Sequence, residues 1–403
     1  MNAPALSAQP KRFLFLMSDT GGGHRAAAEA IRDALIERHG RAAIHADLVD
    51  TYRSMRFPAS HMPEFYPWIV THGKTIWTLA YRWADNPSSA HLASSMTYRF
   101  NRSQLRKVVR QHPADVVVCV HSVTAQPMMS AFQSFAQRPP FVTVITDLVS
   151  TPIFWYDPRV ERCLVPTQAA LDRGLKFGLS QEQMRVTGLP VHPNFSRAVI
   201  ETDRAAARAE LGWHPTLPVV LMVAGGDGMG PLYETARAIV ERDIPCQLAI
   251  IAGRNKNLHA KLTTAAQTWN QRTPVKVYGF VTHMPRLMAA ADVLVTKAGP
   301  ATISEACIAG LPMLLLDFVP GQEEGNIDFV VENDIGVFAP SPFKVANALQ
   351  AWLNEGEAAL RARGARARGL ARPEAVYDIA DEVWAYAQQP PIKTTHRRLL
   401  LKP

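Results

Sequence analysis

Three glycine-bearing loops in this 403-residue chain stand where a short apolar run gives way to a helical pattern, and each carries polar groups suited to chemistry. The first is Ser18-Asp19-Thr20-Gly21-Gly22-Gly23-His24, after the apolar run 13–17. Gly22 and Gly23 let the backbone approach a ligand and leave N–H groups at a helix N-terminus. His24 adds an imidazole at the C-terminal edge of a sheet, where open α/β folds bind their ligands. The plainer alternative is a tight turn with a surface histidine. The loop is neither GxGxxG nor a Walker A sequence, because no Gly-Lys-Ser/Thr follows.

The second loop, Ala224-Gly225-Gly226-Asp227-Gly228-Met229-Gly230-Pro231, follows the run 219–223 and suits a pyrophosphate seated on its amides. The third is Lys297-Ala298-Gly299-Pro300-Ala301-Thr302, after the run 293–296, with Glu305 in the first turns of the helix that follows. Gly299 and that helix start can hold a phosphate, and a carboxylate one turn on can accept two ribose hydroxyls. Against this, Glu305 can equally be a helix-dipole carboxylate worth a few tenths of a kcal/mol. Beyond the run 313–316, the loop Pro320-Gly321-Gln322-Glu323-Glu324-Gly325-Asn326 supplies amides and carboxylates for sugar hydroxyls.

Short apolar runs alternating with helical patterns position these loops, and they predict parallel sheets wrapped by helices. Strands are expected at 13–17, 43–48, 116–120, 142–146 and 162–165 in the first half. In the second they are expected at 219–223, 247–251, 275–278, 293–296 and 313–316. Each set suits its own doubly wound domain, and the runs lack polar alternation, as in sheets covered on both faces. The boundary falls between Gly188 and Pro218. The domains are therefore 1–195 and 196–372, with a helix and basic tail over 373–403 that returns toward the first.

Composition narrows the function classes. Hydrophobic residues make up 47% and charged residues 19%, enough for packed cores and too little charge for disorder. No apolar run reaches the roughly 18 residues that span a bilayer, and the short run 13–17 does not read as a signal peptide. Four cysteines without a CxxC pair argue against zinc or a disulfide framework and fit a reducing compartment. The net charge of +8 attracts polyanions, whether nucleic acid, anionic lipid or a phosphorylated substrate. Arg361, Arg363, Arg366, Arg368 and Arg372 read as a solvated basic face.

Residues 57–85 hold seven aromatic rings, Phe57, Phe65, Tyr66, Trp68, Trp77, Tyr81 and Trp83, interspersed with His61, His72, Lys74 and Arg82. One reading packs the rings into the first domain. The other lays an amphipathic element on a membrane, rings in the interface and cations toward the head groups.

Taken together, the motifs resemble monogalactosyldiacylglycerol synthases, and more broadly glycosyltransferase family 28. They are Met17-Ser18-Asp19-Thr20-Gly21-Gly22-Gly23-His24-Arg25, Val144-Ile145-Thr146-Asp147-Leu148, Gly188-Leu189-Pro190-Val191, Gly225-Gly226-Asp227-Gly228-Met229-Gly230-Pro231, Thr296-Lys297-Ala298-Gly299-Pro300 and Gly321-Gln322-Glu323. The resemblance runs in order from about Arg12 to Tyr386. It implies a GT-B fold, two Rossmann-like domains facing across a cleft, and an inverting β-glycosyl transfer from a UDP-sugar to diacylglycerol. Galactose is the favoured sugar, with glucose, N-acetylglucosamine or another lipid acceptor as alternatives, and a non-catalytic UDP-sugar or lipid binder as the rival class. No cofactor or metal is implied, and the chain has no DxD triplet.

By motif position, the resemblance assigns Glu305 to the ribose, Gly225, Gly226, Gly299 and Thr302 to the diphosphate, and Phe280 and Val281 to the uracil. Gln322, Glu323 and Asn326 fall to the hexose or nearby hydroxyls. His24 is the first choice for the base that deprotonates the acceptor, with Asp147 as its rival or as an orienting group. Gly22, Gly23 and His121 go to the acceptor side, and Trp68, Trp77, Lys74 and Arg82 to an anionic membrane surface. The implied location is cytoplasmic, peripheral on the inner face of the cell membrane. Nucleic acid is not an expected partner, and the oligomeric state stays open.

Overall fold

A computed structural model describes residues 9–20, 22–223, 225 and 230–394. The chain forms two compact units, one of residues 1–192 and 374–403, the other of 193–373.

In the first unit the strands are β1 (Lys11–Met17), β2 (Ile44–Asp50), β3 (Val116–Cys119), β4 (Phe141–Val144), β5 (Arg162–Val165) and β6 (Met184–Val186). They pair in the order β2-β1-β3-β4-β5-β6, every pair parallel. Helix α1 (Gly23–His39) follows β1 and buries Ala27, Ala28, Ile31, Ala34 and Leu35, a small-residue stripe that lets it lie close against the sheet. The same sheet face is covered by the helix Ala375–Ala387, whose Val376, Ile379, Ala380 and Val383 join Phe13, Phe15 and Ile31 in one core. Glu382 fixes that helix through a bidentate pair with Arg162, both contacts 3.0 Å.

The second unit holds β7 (Val219–Val223), β8 (Gln247–Ile251), β9 (Val275–Tyr278), β10 (Val293–Lys297), β11 (Met313–Asp317) and β12 (Gly336–Phe338). Their order is β9-β8-β7-β10-β11-β12, again all parallel, which is the doubly wound order of dinucleotide-binding folds. All ten expected strands are present, with ends shifted by up to two residues. The sequence does not announce β6 and β12, three-residue edge strands of these sheets, or the two-residue antiparallel pair Gln137–Arg138 and Ile392–Lys393, all too short to carry a pattern. The four cysteines are buried and free.

In the basic run 361–372, Arg361, Arg366, Arg368 and Arg372 are exposed, as a solvated face requires, and only Arg363 is half-buried. Arg363 lies 2.7 Å from Glu355 and stacks over Trp352, Arg366 pairs with Asp334 at 2.6 Å, and Arg368 packs against Gly310 and reaches the Ala309 carbonyl.

Between β2 and β3 the first unit inserts three helices: α2 (Met62–His72), α3 (Lys74–Ala84) and α4 (Pro87–Gln111). Asn86 caps α4 by accepting from the Ser88 amide at 3.0 Å, and Pro87 fills the first helical position, where a missing N–H costs nothing. Among the described residues no helix is long and apolar enough to cross a membrane.

Candidate active site

In each unit the candidate residues gather at the carboxyl ends of the strands, on both sides of the point where the strand order reverses. In the first unit that point lies between β1 and β3, so the loops carrying His24 and His121 flank it. Thr146 and Asp147 follow the next strand, β4.

His24 sits near the start of α1, beyond Gly22, whose φ of 73° is the left-handed turn that glycine accommodates. Its Nδ1 is 2.8 Å from the Val120 carbonyl and 3.0 Å from Thr146 Oγ1. A carbonyl only accepts, so the hydrogen-bond network assigns the proton to Nδ1 and leaves Nε2 with a free lone pair. Burial lowers the His24 pKa below its ordinary value, opposed by the Asp147 charge and the Val120 hydrogen bond. His24 is therefore neutral at pH 7 and ready to accept a proton at Nε2.

The ring of His121 meets that of His24 edge to face at 4.6 Å. It is buried, with Nε2 3.3 Å from Thr20 Oγ1 and Nδ1 3.4 Å from Thr124 Oγ1. Burial, and the second imidazole beside it, hold it well below the ordinary histidine value. Asp147 is buried as well, and its Oδ2 accepts the Trp155 indole N–H at 2.6 Å. Asp147 thus acts on His24 through its charge while its own position is fixed by Trp155. Beside them Asp19 and Arg25 form a two-contact pair at 2.6 and 2.9 Å that braces the glycine loop.

In the second unit the reversal lies between β7 and β10, flanked by Gly225 and by the loop 297–299. Gly225 has φ 73°, and a Cβ there would touch the Lys297 side chain at 3.9 Å. A Cβ at Gly299 would meet Lys297 Nζ at 3.4 Å and Glu323 Oε1 at 3.9 Å. Lys297, Glu323 and the two glycines are therefore one cluster, closed by a Lys297–Glu323 ion pair of 2.6 Å. Glu323 is buried, and its other oxygen accepts the Val319 amide at 2.8 Å. The sequence reading places Glu323 on sugar hydroxyls, whereas here both of its oxygens are engaged within the protein. Asn326 is also buried, its Nδ2 donating to the Ala298 carbonyl at 2.9 Å and its Oδ1 enclosed without a partner.

Gly299 caps the helix Pro300–Ala309, whose N-terminal end adds a partial positive charge beside Lys297. Thr302 is half-buried on its first turn. Glu305 is half-buried on the next turn with neither ion pair nor hydrogen bond among the described residues, and burial pushes its carboxyl up to about 7. Among the described residues it has no donor that would keep the buried carboxyl charged. After β9, Phe280 stands exposed with the Arg254 guanidinium stacked 4.6 Å from its ring, and Val281 is half-buried beside it. Gln322 is half-buried in the loop after β11. Gly226 lies outside the described residues.

The aromatic segment divides between the two readings offered for it. Trp68 is 63% exposed, and Phe57, Phe65 and Trp83 also face outward with Ile76 and Leu79. Trp77 corrects its expected place in the interface: it is half-buried against Tyr66 at 5.4 Å, with its indole nitrogen enclosed. Tyr81 likewise turns inward, its hydroxyl donating to the Ser150 carbonyl. Arg82 is exposed, and the Lys74 side chain lies outside the described residues. Among the described residues no cluster of histidine, cysteine and carboxylate side chains suits a metal ion.

Lys297, Arg254, Thr146 and Trp155 are members of these clusters that the sequence reading did not assign. Lys297 and Thr146 sit inside motifs already quoted, Lys297 two residues before Gly299 and Thr146 next to Asp147. Trp155 and Arg254 carry no local signal, because their contacts depend on packing between separate loops.

Comparisons with known proteins show the family and the fold. The family model described as monogalactosyldiacylglycerol (MGDG) synthase matches residues 24–191, and that of the glycosyltransferase family 28 C-terminal domain matches 220–327. A probable monogalactosyldiacylglycerol synthase 2 of Oryza sativa subsp. japonica is 40% identical over 397 residues, 95% of this chain and 82% of the relative. Monogalactosyldiacylglycerol synthase 2 of Arabidopsis thaliana is 39% identical over 94% of this chain and 81% of its own. Among solved structures, MurG of Acinetobacter baumannii superposes with a TM-score of 0.58 at 14% identity, covering 93% of this chain and all of its own, which shows a shared GT-B fold. With both family models placed in order and nearly the whole chain aligned, this chain belongs to the monogalactosyldiacylglycerol synthase family.

Proposed function

We propose that this chain transfers galactose from UDP-galactose to the free hydroxyl of 1,2-diacylglycerol, inverting the anomeric carbon to give a β-galactosyl lipid. The observation that carries the reading is the 40% identity to a probable monogalactosyldiacylglycerol synthase along 95% of the chain.

The geometry supports roles for the chain's own groups. His24 Nε2, left free by the Nδ1–Val120 bond, takes the acceptor proton as the hydroxyl oxygen attacks the anomeric carbon. Asp147 stabilises the imidazolium that forms, through the charge interaction that already raises His24's basicity. His121, neutral and buried, keeps the His24 ring in place by edge-to-face packing.

On the donor side, Glu305 accepts the ribose hydroxyls, Phe280 and Val281 frame the uracil, and Gln322 and Asn326 serve the hexose. Gly225, Gly299, Thr302 and the helix start at Pro300 hold the diphosphate, with Lys297 meeting the charge that develops as UDP leaves. That role asks Lys297 to exchange Glu323 for a phosphate oxygen, and the bare Cβ positions at Gly225 and Gly299 leave room for it.

The acceptor lies in a bilayer, so the enzyme works as a peripheral membrane protein, on the inner face of the cell membrane. Outward-facing Phe57, Phe65, Trp68, Ile76, Leu79 and Trp83, with Arg82, form the patch that meets it.

Incubation with labelled UDP-galactose, UDP-glucose or UDP-N-acetylglucosamine and diacylglycerol liposomes tests the reading. Label should enter the lipid phase from UDP-galactose in preference to the others. Equal or greater transfer from UDP-glucose would move the assignment to a glucosyltransferase, and binding without transfer from any donor would make the chain a non-catalytic binder.

A further inference from the structure

Asp147 serves His24 only while its carboxylate stays near that ring, and it stands at the head of the loop 147–156 that follows β4. The loop pairs within its own backbone where the Thr151 amide meets Val149 at 2.8 Å and the Trp155 amide meets Pro152 at 3.1 Å. Side chains from other elements hold it at four further points. Thr167 Oγ1 donates to the Leu148 carbonyl at 3.0 Å, the Tyr81 hydroxyl to that of Ser150 at 3.2 Å, and Arg173 Nε to that of Thr151 at 2.7 Å. The fourth tie is Asp85, whose Oδ1 accepts the Ile153 amide at 3.1 Å across 68 residues of sequence.

Asp85 stands at a junction of two helices. It ends α3, its amide donating to the Tyr81 carbonyl at 2.8 Å, and the next residue, Asn86, caps α4. Both of its carboxylate oxygens meet the Arg173 guanidinium, with 2.6 Å to Oδ1. Asp85 therefore governs two of the four ties, Ile153 directly and Thr151 through Arg173. Such charge-assisted bonds are roughly twice as strong as neutral ones. Residues Ile153–Trp155 form a single 3-10 turn, and Pro152 before it offers no side-chain acceptor. A helical start leaves its first amides unpaired, so Asp85 supplies from a distant helix the cap that Pro152 cannot. The same turn carries Trp155, fully buried, whose indole N–H holds Asp147 at 2.6 Å.

We propose that Asp85 is a positioning residue for the transfer reaction: by capping the turn 153–155 and anchoring Arg173, it keeps Trp155, and through it Asp147, in register with His24. The proposal rests on the reading of His24 as the base with Asp147 behind it, and extends that reading to a residue of the inserted helices. Helix α3 then has two tasks. Ile76, Leu79 and Trp83 face outward, while Tyr81 and Asp85 at its end hold the loop beside the reacting groups. A brace that merely stabilised the fold would act on the rate independently of Asp147. A positioning residue acts through it, so the two effects on turnover must be coupled.

A double-mutant cycle in the full-length protein tests this, with UDP-galactose and a short-chain, soluble diacylglycerol so that bilayer docking does not limit the rate. Asp85→Ala should lower kcat roughly thirtyfold with KM for UDP-galactose within about twofold, because a small displacement of a catalytic group is costly to the chemical step alone. In the Asp147→Asn background the same change should cost less than about threefold, since the route it acts through is already cut. Asp85→Asn keeps an acceptor for the Ile153 amide and should lose only about fivefold; it runs the same cycle should Asp85→Ala fail to fold. Equal losses in both backgrounds would overturn the proposal and make Asp85 a structural brace. Unchanged kcat in the folded Asp85 variants would also overturn it, as would a loss seen with liposomal diacylglycerol but absent with the soluble acceptor, which would place the effect in bilayer docking. Full turnover in His24→Ala or Asp147→Asn would refute the base assignment itself, an outcome distinct from additive losses, which refute only the role of Asp85.

Discussion

Glu305 gives the donor site a pH signature. Its carboxyl stands at about 7 in the free protein because burial penalises the charge and no donor offsets it. Ribose hydroxyls are donors, so UDP-galactose should bind the ionised form. From pH 8 to pH 6 the ionised fraction falls from about nine-tenths to about one-tenth, so affinity should weaken roughly tenfold. UDP-galactose is the ligand to use, because the terminal phosphate of UDP titrates in the same range. Glu305→Gln removes the titration and the charge-assisted acceptor together. The variant should bind about 1.5–3 kcal/mol more weakly at pH 8 and show a flat profile. Calorimetry without acceptor reads both quantities. A flat wild-type profile, or a slope that survives in Glu305→Gln, would remove Glu305 from the ribose site. Stability carries the same group with a definite sign. Between pH 4.5 and about 7 the native carboxyl holds a proton that the unfolded chain has lost, so its contribution diminishes as pH rises through that window. The Gln variant should lack that part of the pH dependence.

The first unit carries its own expected outcomes. His24→Ala should cut turnover by about 10²–10⁴-fold with UDP-galactose affinity nearly unchanged, and wild-type kcat/KM should fall on acidification with its midpoint below the ordinary imidazole value. The same lowered pKa values of His24 and His121 mean that the unfolded chain binds more protons, so native stability should decline as pH drops below about 6.5; collapse of UDP-galactose affinity in His24→Ala would reassign that residue to the donor. Trp68→Ala/Trp83→Ala should lower binding to neutral vesicles at every salt concentration with little change in melting temperature, whereas half-buried Trp77→Ala should melt several degrees lower, and a reversal of these two patterns would exchange their roles.

Much of the architecture is legible in the sequence because fully covered parallel strands read as unbroken apolar runs. Val116–Cys119 and Val219–Val223 are examples, buried at every position. Edge strands such as Met184–Val186 give no such signal, since three residues with one exposed side chain look like loop. The glycine loops are legible for a local reason, the need for close backbone approach and positive φ at Gly22 and Gly225.

What stays hidden depends on contacts between distant segments. The tautomer of His24 is set by Val120 and Thr146, 96 and 122 residues away. The seating of Asp147 depends on Trp155, and the engagement of Glu323 on Lys297, 26 residues before it. The aromatic segment shows the same limit. Its seven rings are alike in composition, and only the pairing of α2 with α3 turns Trp77 inward and leaves Trp68 and Trp83 outside.

The measurement that bears most directly on the account is proton NMR of the lipid product formed from UDP-galactose and diacylglycerol. Inverting attack by a hydroxyl that His24 deprotonates predicts a single galactosyl diacylglycerol whose anomeric proton shows the large coupling of a β-linkage. An α-anomer would contradict single-step inversion, and free galactose in place of glycolipid would contradict diacylglycerol as the acceptor.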